Sequence, residues 1–255
     1  CLSLEPNLSG LRSIGLAELT ERAGLQTRVD RKYIVPLGEV GSLLAEVEPG
    51  TEVLEIDGIR LFTYQSVYFD TAELTSYLLT ARRRRRRFKV RTRCYVDSSL
   101  CVLEVKVPGP RSQTVKHRAP YQRGDLETLR PGRRFVDEVL GGQRIAIQPE
   151  TSFVPTLVTR YQRSTLFMPT TASRVTIDTD LSWHDYQHGL RLPDLAIVET
   201  KTATAVSRFD RQLWRHGHRP VRVSKYCTGL AALRPDLPAK RWARVLRRHF
   251  GRADI

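Results

Sequence analysis

The sequence predicts an α+β protein: a closed antiparallel β-barrel of about eight strands with flanking helices. The first observation is that nearly every candidate strand carries charged residues at alternate positions, with apolar residues between them. The second is that apolar residues in the intervening segments repeat at helical spacing. An open sheet would need charge only on its wet face. A closed barrel with a polar interior satisfies the same pattern and leaves no exposed sheet edge.

Length and composition limit the possible partners. The chain has 255 residues, which suits one large barrel-type domain or two small ones. Its formal net charge is +15, from 42 Lys and Arg residues against 27 Asp and Glu residues. An anionic partner is therefore expected, which could be nucleic acid, a membrane surface or polyphosphate. No apolar run approaches the ~18 residues that a membrane-spanning helix needs.

The four cysteines are Cys1, Cys94, Cys101 and Cys227, and they lack the CxxC spacing of a zinc or redox motif. Cys94 and Cys101 would face each other across a hairpin whose turn is Asp97-Ser98. The expected location of the protein is the cytoplasm, where thiols stay reduced. Both residues are therefore predicted to be free thiols.

Before residue 88, four elements are predicted. They are a short helix over Leu8–Leu19 within an N-terminal extension of 26 residues, a strand from Thr27 to Val35, a helix over Pro36–Val47, and a strand over Phe62–Phe69 that leads into a short helix from Asp70 to Leu79. The first strand would place Arg28, Asp30 and Lys32 on one face.

Six consecutive arginines, Arg82 to Arg87, follow these elements. Such a run is usually a solvated or disordered stretch, or a contact with nucleic acid or a membrane. It lacks the interleaved aromatic residues of a single-strand binding surface. Because the run leads directly into the next strand, its last members are expected to belong to that strand.

A β-hairpin is predicted from Phe88 to Lys106. Its first strand presents three cations at odd-numbered positions: Lys89, Arg91 and Arg93. Residues 97–99 have turn composition. Direct cross-strand pairs share a face, so Glu104 and Lys106 are expected beside the three cations. On a solvated face this pattern would be ordinary, whereas inside a barrel it would bind anions; the hairpin alone leaves both open.

The remaining strands repeat the pattern. Their charged or polar faces carry Lys116 and Arg118 in 113–118, Thr159, Tyr161, Arg163 and Thr165 in Phe153–Met168, Arg174, Thr176 and Asp178 in 174–178, and Ile197, Glu199 and Lys201 in Leu195–Lys201. Further helices are predicted near Arg134–Leu140, over Ala205–His216, from Ser224 onward and over Arg241–Phe250. Two Glu-x-Lys segments among so many cations favour a barrel interior with a metal site.

The C-terminal segment, residues 236–255, is predicted to form a basic helix. Its apolar stripe consists of Trp242, Val245, Leu246 and Phe250. Such a stripe usually packs against the protein, and peripheral contact with a membrane is the alternative.

Nine short motifs, in order, resemble the VTC-type polyphosphate polymerase domain, in its bacterial stand-alone form. They are Arg-x-Asp-Arg-Lys-Tyr at 28–33, Tyr-Phe-Asp-Thr at 68–71, Lys-Val-Arg-Thr-Arg at 89–93, Leu-Glu-Val-Lys at 103–106, Lys-His-Arg at 116–118, Tyr-Gln-Arg at 161–163, Arg-Val-Thr-Ile-Asp at 174–178, Val-Glu-Thr-Lys at 198–201 and Ser-Lys-Tyr at 224–226. The family belongs to the triphosphate tunnel metalloenzymes, whose barrel interior binds triphosphate and a divalent metal. The resemblance implies a tunnel domain over residues 27–235.

The resemblance also implies particular site residues. The positions that would hold the phosphate chain are Lys32, Arg91, Arg93, Lys106, Tyr161, Arg163, Ser224 and Lys225. Glu199 would be the metal ligand, for Mn²⁺ or Mg²⁺. Shared strand faces add Lys201 and, as secondary candidates, Lys89, Lys116, Arg118 and Arg174, with Glu104 and Asp178 as further metal candidates. Arg28 and Asp30 stand where other tunnel enzymes carry alternating glutamates, which argues against a CYTH-type hydrolase.

Three functions remain open from the sequence. The resemblance favours a polyphosphate polymerase that transfers the γ-phosphate of ATP to a growing chain and releases ADP. A tripolyphosphate or nucleoside triphosphate hydrolase of the same fold is the second possibility. A non-catalytic polyanion-binding protein is the third. ATP, triphosphate and polyphosphate are the expected partners, and nucleic acid is not expected.

Overall fold

The strands of the computed structural model pair in an antiparallel way, apart from one short parallel pair near the N-terminus, and helices pack on their apolar faces. The structure describes residues 4–24, 29–109, 114–145, 147–148, 150–203 and 206–251. The helices are α1 Glu5–Ser9, α2 Leu16–Arg22, α3 Leu37–Ala45, α4 Thr75–Ala81, α5 Arg133–Gly142, α6 Arg208–Arg215, α7 Lys225–Leu233 and α8 Ala243–His249. The strands are β1 Arg12–Ile14, β2 Val29–Pro36, β3 Glu52–Leu54, β4 Phe62–Thr71, β5 Lys89–Tyr95, β6 Leu100–Pro108, β7 Thr114–Tyr121, β8 Phe153–Met168, β9 Ser173–His184, β10 Gly189–Leu192 and β11 Leu195–Thr202.

These elements fall into two units, which are described separately. Unit 1 contains the described residues of Cys1–Thr63, Tyr161–Leu181 and Leu192–Arg222. Unit 2 contains those of Tyr64–Arg160, Ser182–Arg191 and Val223–Ile255. The closure of the strands into a barrel and the division into a 27–235 domain with two flanking segments stay predictions.

In unit 1, β11 pairs with β2 on one side and with β9 on the other, both antiparallel. One face of these strands is apolar and buried, with Val35, Ile177 and Val198 among its members. Leucines of α3 and α6 cover this face, as the periodicity of both helices predicts. Because successive side chains on a strand point to opposite faces, the charged residues of these strands lie on the other face.

Asp210 fixes α6 to the strands of unit 1. Its buried carboxylate accepts hydrogen bonds from the Tyr33 hydroxyl at 2.7 Å, from the Thr200 hydroxyl at 2.6 Å and from Ser207. Ser207 in turn accepts from the Asp210 backbone N–H, which completes a capping box at the helix N-terminus. The helix therefore begins at Arg208, later than the predicted Ala205, a residue that lies outside the described part of the chain.

In unit 2, β5, β6 and β7 form successive antiparallel pairs, and β4 pairs with β5. Their apolar face includes Val67, Val90, Leu103 and Val105, and the buried residues of α5 pack on it. The predicted hairpin register is confirmed, because Arg91 pairs with Glu104 and Lys89 with Lys106. The other face carries the charges, as in unit 1.

The helix after β4 begins at Thr75, not at Asp70 as predicted, and β4 continues to Thr71. The buried Asp70 carboxylate accepts hydrogen bonds from the backbone N–H groups of Ser76 at 2.8 Å and Tyr77 at 2.9 Å. It thus caps the first turn of α4 from a position outside the helix. The sequence therefore predicted Asp70 as the first residue of the helix, whereas Asp70 caps the helix from the preceding strand.

The arginine run is not part of β5, which corrects the expectation that its last members join the strand. The N–H groups of Arg83 and Arg84 donate to the carbonyls of Thr80 and Leu79, which is the pattern of a Schellman motif at the end of α4. Arg83 takes the left-handed position of that motif, with φ 56°. The run therefore forms the end of a helix and the following loop, and β5 begins only at Lys89.

The N-terminal residues form two helices with a strand between them, so the single helix predicted over Leu8–Leu19 is wrong. Strand β1 pairs in parallel with β3 through Arg12 and Glu52. Helix α2 then begins after Gly15, an extended residue at its N-cap position. The pairing partner lies forty residues away, which local periodicity could not reveal.

Cys94 and Cys101 lie opposite each other on β5 and β6, as the hairpin predicts. The structure joins them in a disulfide, so the expectation of free thiols is wrong for this pair. Cys227 is a free, buried thiol.

The apolar stripe of the C-terminal helix is buried, which confirms the prediction that it packs. The Trp242 ring lies 5.7 Å from the ring of Tyr77, and the Phe250 ring lies 5.6 Å from that of Trp183. Peripheral membrane contact through this stripe is not supported, since its side chains are already covered. Among the described helices, none is long and apolar enough to cross a membrane.

Candidate functional site

The site residues predicted from the sequence divide between the two units. Unit 1 holds Lys32, Tyr161, Arg163, Arg174, Asp178, Glu199 and Lys201. Unit 2 holds Lys89, Arg91, Arg93, Glu104, Lys106, Lys116, Arg118, Ser224 and Lys225.

The charged face of unit 1 is centred on Glu199. Cross-strand pairing places Lys32 of β2 and Thr176 of β9 directly opposite Glu199 of β11. Two residues further along β11, Lys201 lies directly opposite Asp30 of β2 and Arg174 of β9. Since direct pairs share a face, these rows bring together the residues that sequence parity had grouped.

Glu199 and Lys201 form an ion pair in which Lys201 Nζ lies 2.9 Å from Glu199 Oε2. The two side chains are 16% and 14% exposed, although the Lys201 Nζ atom itself is buried. Burial alone would raise the pKa of the Glu199 carboxyl, but Lys32, Lys201 and Arg163 outweigh it and hold the pKa well below its usual range. Glu199 is therefore an anion at every physiological pH.

Arg163 and Asp178 form a bidentate pair on the same face. The guanidinium Nε donates to Asp178 Oδ1 at 2.5 Å, and Nη2 donates to Oδ2 at 2.7 Å. The guanidinium also lies over the ring of Tyr161, 5.3 Å from its centroid. Arg163 is thus fixed in position by a carboxylate and an aromatic ring. Asp178, predicted as a metal candidate, has both oxygens bound to Arg163.

The charged face of unit 2 contains two rows across β5, β6 and β7. We call Lys89, Lys106 and Lys116 the lysine row, because these three residues lie abreast on the three strands. The neighbouring row consists of Arg91, Glu104 and Arg118. Like charges directly opposite each other on a sheet are destabilising, so the three lysines repel one another where they lie abreast.

Glu104 is enclosed by the cations around it. Its fully buried carboxylate accepts from Arg91 Nε at 2.6 Å and from Arg118 Nε at 2.7 Å, and Lys116 Nζ lies 3.7 Å away. Burial would raise the pKa of this carboxyl, but Arg91, Arg93 and the lysines hold it well below its usual range. Glu104 thus lies beside Arg91, as the hairpin predicts, and both oxygens of this metal candidate are bound by cations.

The pKa of Lys116 is affected by the charges of this cluster. Burial lowers the pKa of its ammonium to about 8, and the nearby arginines act in the same direction, while Glu104 opposes them. The lysine row therefore carries a cation that loses its proton more readily than an ordinary lysine.

Tyr68 is a partner of the arginines that sequence reasoning missed. Its hydroxyl accepts from Arg91 Nη1 at 2.9 Å, and its ring stacks on Tyr226 with centroids 5.1 Å apart. Burial would raise the pKa of Tyr68, but Arg91, Arg93 and Lys225 lower it overall. The signal was available, since Tyr68 belongs to the Tyr-Phe-Asp-Thr motif and pairs with Arg91 across the strands.

Ser224 is the N-cap of α7, as its position at the start of the helix predicts. Its hydroxyl accepts from the Cys227 N–H at 3.2 Å and from Lys89 Nζ at 2.8 Å. The hydroxyl thus satisfies one helix N–H itself and ties the helix to the lysine row. Lys225 follows it, half-buried, as the first residue of the helix.

A model of the VTC domain matches residues 27–234 of the chain. The chain belongs to the VTC domain family. No curated protein matches it.

Solved structures with a related fold come from three organisms. The "putative adenylyl cyclase HpAC1" from Hippeastrum, whose description reports a dominant triphosphatase activity, is 16% identical with a TM-score of 0.52, covering 84% of this chain and 100% of its own. A "putative adenylate cyclase" from Bacillus halodurans is 12% identical with a TM-score of 0.49, covering 78% of this chain and 94% of its own. One from Vibrio parahaemolyticus is 13% identical with a TM-score of 0.44, covering 78% and 95%. The Hippeastrum likeness shows a shared fold.

Two predicted residues of this VTC domain have other contacts. The Arg174 guanidinium donates to the carbonyls of Leu19 at 3.4 Å and Ala23 at 3.5 Å, at the end of α2. A cation there complements the helix dipole. Arg93 donates through Nε to the Ser66 hydroxyl at 3.1 Å. Ser66, which pairs with Arg93 across the strands, was missed because serine gives no charge signal.

Among the described residues, no group of three or more His, Cys, Asp or Glu side chains could hold a metal ion. Glu199 is the one metal candidate whose contacts leave a carboxylate oxygen, Oε1, outside the ion pair described above. The Thr176 hydroxyl opposite it is buried and has no hydrogen-bond partner within the described residues. A hard cation held here would therefore draw most of its oxygen ligands from a bound phosphate compound or water.

Proposed function

We propose that this VTC domain is a polyphosphate polymerase, which transfers the γ-phosphate of ATP to a growing polyphosphate chain and releases ADP. The observation that carries the proposal is the lysine row beside Arg91 and Arg118 in unit 2. An anion with several closely spaced charges would offset the mutual repulsion of this row. Polyphosphate is such an anion, and arginine and lysine are its natural ligands.

In unit 1, we assign Glu199 as the residue that holds a divalent cation, Mn²⁺ or Mg²⁺. Such a cation is usually bound by one or two carboxylates together with substrate phosphates, which fits a single available glutamate. When bound, it would neutralise charge on the phosphoryl group that is transferred. Lys32 and Lys201, on either side of Glu199, supply further positive charge at the same place.

Arg163 is proposed to stabilise the transferred phosphoryl group. Asp178 and Tyr161 hold its guanidinium in place before substrate arrives, so little reorganisation is needed during the reaction. A terminal phosphate oxygen of the existing chain attacks the γ-phosphorus of ATP, the bond to the β-phosphate oxygen breaks, and ADP leaves. Because the nucleophile belongs to the substrate, the protein needs no catalytic serine or histidine.

Hydrolysis is the second candidate function. The description of the Hippeastrum protein reports triphosphatase activity, and that protein shares the fold. In a hydrolase of this kind, water would replace the chain terminus as nucleophile, and the same cations would hold the substrate. The closed tunnel and the cytoplasmic location remain predictions that accompany either function.

One incubation separates these functions. The purified protein is incubated with ATP in three separate samples, which contain Mn²⁺, Mg²⁺ or a chelator. The chelator sample is the control. Polyphosphate is detected on a stained gel, while ADP and orthophosphate are measured separately. A polymerase forms ADP and polyphosphate together with little orthophosphate. Orthophosphate without polyphosphate would show a hydrolase, and retention of added polyphosphate without turnover would show a binding protein.

A further inference from the structure

Unit 2 carries a second, exposed basic surface outside the charged rows of its strands. We call it the arginine surface. It consists of the exposed cations Arg82, Arg83, Arg84, Arg85 and Arg86 of the loop after α4, together with Lys240, Arg244, Arg247 and Arg248 in and before α8. None of these residues belongs to the site proposed above.

The contacts between α4 and the C-terminal segment bring both parts of this surface together. Arg241 Nη1 donates to the carbonyl of Thr80 at 2.9 Å, near the end of α4. The Tyr77 hydroxyl donates to the carbonyl of Pro238 at 3.2 Å, and the Tyr77 ring lies 5.7 Å from that of Trp242. The arginine run leaves α4 two residues after Thr80, so it begins where the C-terminal segment is attached.

The arginine loop has a defined backbone. The N–H of Arg82 donates to the carbonyl of Leu78 at 2.9 Å, and that of Arg84 donates to the carbonyl of Leu79 at 2.8 Å. Arg87 Nη1 reaches back to the carbonyl of Arg84 at 3.3 Å. These bonds fix the backbone of a loop with several like charges, whose mutual repulsion a bound anion would reduce.

The composition of this surface favours a ligand that is purely anionic. Among the described residues, every exposed large hydrophobic side chain lies elsewhere, at Leu16, Val29, Ile59, Leu100, Val154 and Tyr186. Base stacking on single-stranded nucleic acid needs exposed aromatic rings. Peripheral membrane helices need an exposed apolar face, which α8 lacks. A polymer made of phosphate alone needs neither.

The arginine surface is also close in sequence to the lysine row. Arg87 is half-buried, Phe88 is buried, and Lys89, the next residue, is a member of that row. Arg86 and Lys89 are therefore three residues apart, which extended chain spans in about 10 Å. A polyphosphate chain bound to the lysine row could therefore continue onto the arginine surface.

We propose that the arginine surface binds the part of a long polyphosphate chain that extends beyond the lysine row. The inference rests on the proposed function, and it adds that affinity increases with chain length. Short chains such as tripolyphosphate bind only at the lysine row. Long chains engage both sites, and the second contact is made at high effective concentration because the two sites bind one molecule.

The test uses the triple variant Arg84→Gln, Arg85→Gln, Arg86→Gln. The matched control is Arg211→Gln, Arg215→Gln, Arg222→Gln, which removes the same charge from exposed positions of unit 1. Affinities for tripolyphosphate and for long-chain polyphosphate are measured by titration at several salt concentrations. We expect the test variant to lose about tenfold or more in affinity for the long chain, with a shallower salt dependence. Its affinity for tripolyphosphate should change less than about twofold.

Each outcome bears on one proposal. Equal long-chain affinity in the test and control variants would overturn the arginine surface as a binding site. Tighter binding of duplex DNA or of phosphatidylserine vesicles than of long-chain polyphosphate, lost in the test variant, would overturn the choice of ligand. If the unmodified protein binds neither tripolyphosphate nor long chains, the proposed function fails instead. Loss of long-chain affinity in the test variant alone supports the inference.

Discussion

Glu104 in unit 2 and Glu199 in unit 1 occupy nearly the same local sequence and have different surroundings. Each follows an apolar strand segment and precedes a lysine by two residues. Glu104 is fully buried and bound by two arginines, with Lys116 close by. Glu199 is partly exposed and pairs with Lys201. The same Glu-x-Lys pattern thus gives a neutralised charge in one unit and a more available carboxylate in the other.

The neighbouring strands explain this difference. Arg91 and Arg118 stand directly opposite Glu104, and both are long enough to reach its oxygens. Lys32 and Thr176 stand opposite Glu199, and the threonine carries no charge that could neutralise it. Cross-strand partners therefore decide whether a carboxylate among cations is structural or can act on a ligand.

The largest effect is expected from Glu199→Gln, which keeps the shape of the side chain and removes its charge. If Glu199 holds the divalent cation, metal-dependent turnover should fall on the order of 10³-fold, as for loss of a main electrostatic contact in a reaction site. Mn²⁺ affinity, measured by titration calorimetry with tripolyphosphate present, should fall as well. Normal turnover and normal metal affinity in the Glu199→Gln variant would contradict the assignment of Glu199 as a metal ligand.

Glu104→Gln should act on stability instead. It leaves Arg91 and Arg118 without their shared carboxylate, and breaking a buried ion pair in this way typically costs about 3–5 kcal/mol in the free energy of unfolding. Chemical denaturation measures this loss. Glu138→Gln is the control, since the Arg134–Glu138 pair on α5 is exposed and should contribute less than about 1 kcal/mol.

The same variant has a predicted pH dependence. The folded-state pKa of Glu104 is lowered, so below about pH 4.3 the unfolded state takes up a proton that the folded state does not. The stability that Glu104 contributes is therefore complete above that pH and is lost as the pH falls further. The difference in stability between the unmodified protein and Glu104→Gln should shrink in acid, and a constant difference would contradict the assignment.

Arg163 tests whether a fixed arginine in unit 1 acts on substrate or only balances Asp178. Arg163→Ala should lower turnover on the order of 10²-fold, and Arg163→Lys should restore it only in part because the bidentate fork is lost. The control is the double variant Arg163→Ala, Asp178→Asn, which removes both charges. Recovery of stability without recovery of turnover indicates a role on substrate. Recovery of both would show that Arg163 serves only Asp178.

The fold was largely predictable because strand faces follow a strict period of two. Phe153–Met168 was predicted with its observed bounds, and the shared face of Arg91 and Glu104 followed from parity together with the expected position of the hairpin turn. Features that depend on partners distant in sequence were not predictable. The pairing of β1 with β3 and the capping of α4 by Asp70 both arise from contacts outside a local window.

Within the candidate site, the residue types and the Arg91–Glu104 pairing could be predicted, and most other partners could not. Parity placed Arg163, Asp178 and Glu199 on one face, but it did not show that Asp178 would occupy the arginine fork. It likewise suggested Glu104 as a metal ligand, although the cations opposite it bind both oxygens. Neutral partners such as Tyr68 and Ser66 carry no charge pattern, so only the register reveals them.

Tyr68 gives the smallest predicted effect and a direct way to tell which face a phosphate compound binds. Loss of its hydroxyl in Tyr68→Phe removes one hydrogen bond from Arg91 and keeps the stacking on Tyr226. Affinity for tripolyphosphate should therefore fall by about fivefold or less, the equivalent of roughly 1 kcal/mol. The stronger readout is the ionisation of the tyrosine itself, followed by the ultraviolet absorbance of phenolate.

Arg91, Arg93 and Lys225 lower the pKa of Tyr68, whereas burial and Asp70 raise that of Tyr226 well above its usual range. Tyr68 should therefore ionise before its stacked neighbour, and this early component should be absent from Tyr68→Phe. Tripolyphosphate bound in unit 2 would offset the arginine charges and raise the pKa of Tyr68. Tripolyphosphate that does not contact Arg91, Arg93 or Lys225 would leave the early component unchanged, because Tyr68 would keep its cations. A titration that does not move with saturating tripolyphosphate would thus contradict phosphate binding at the rows of unit 2.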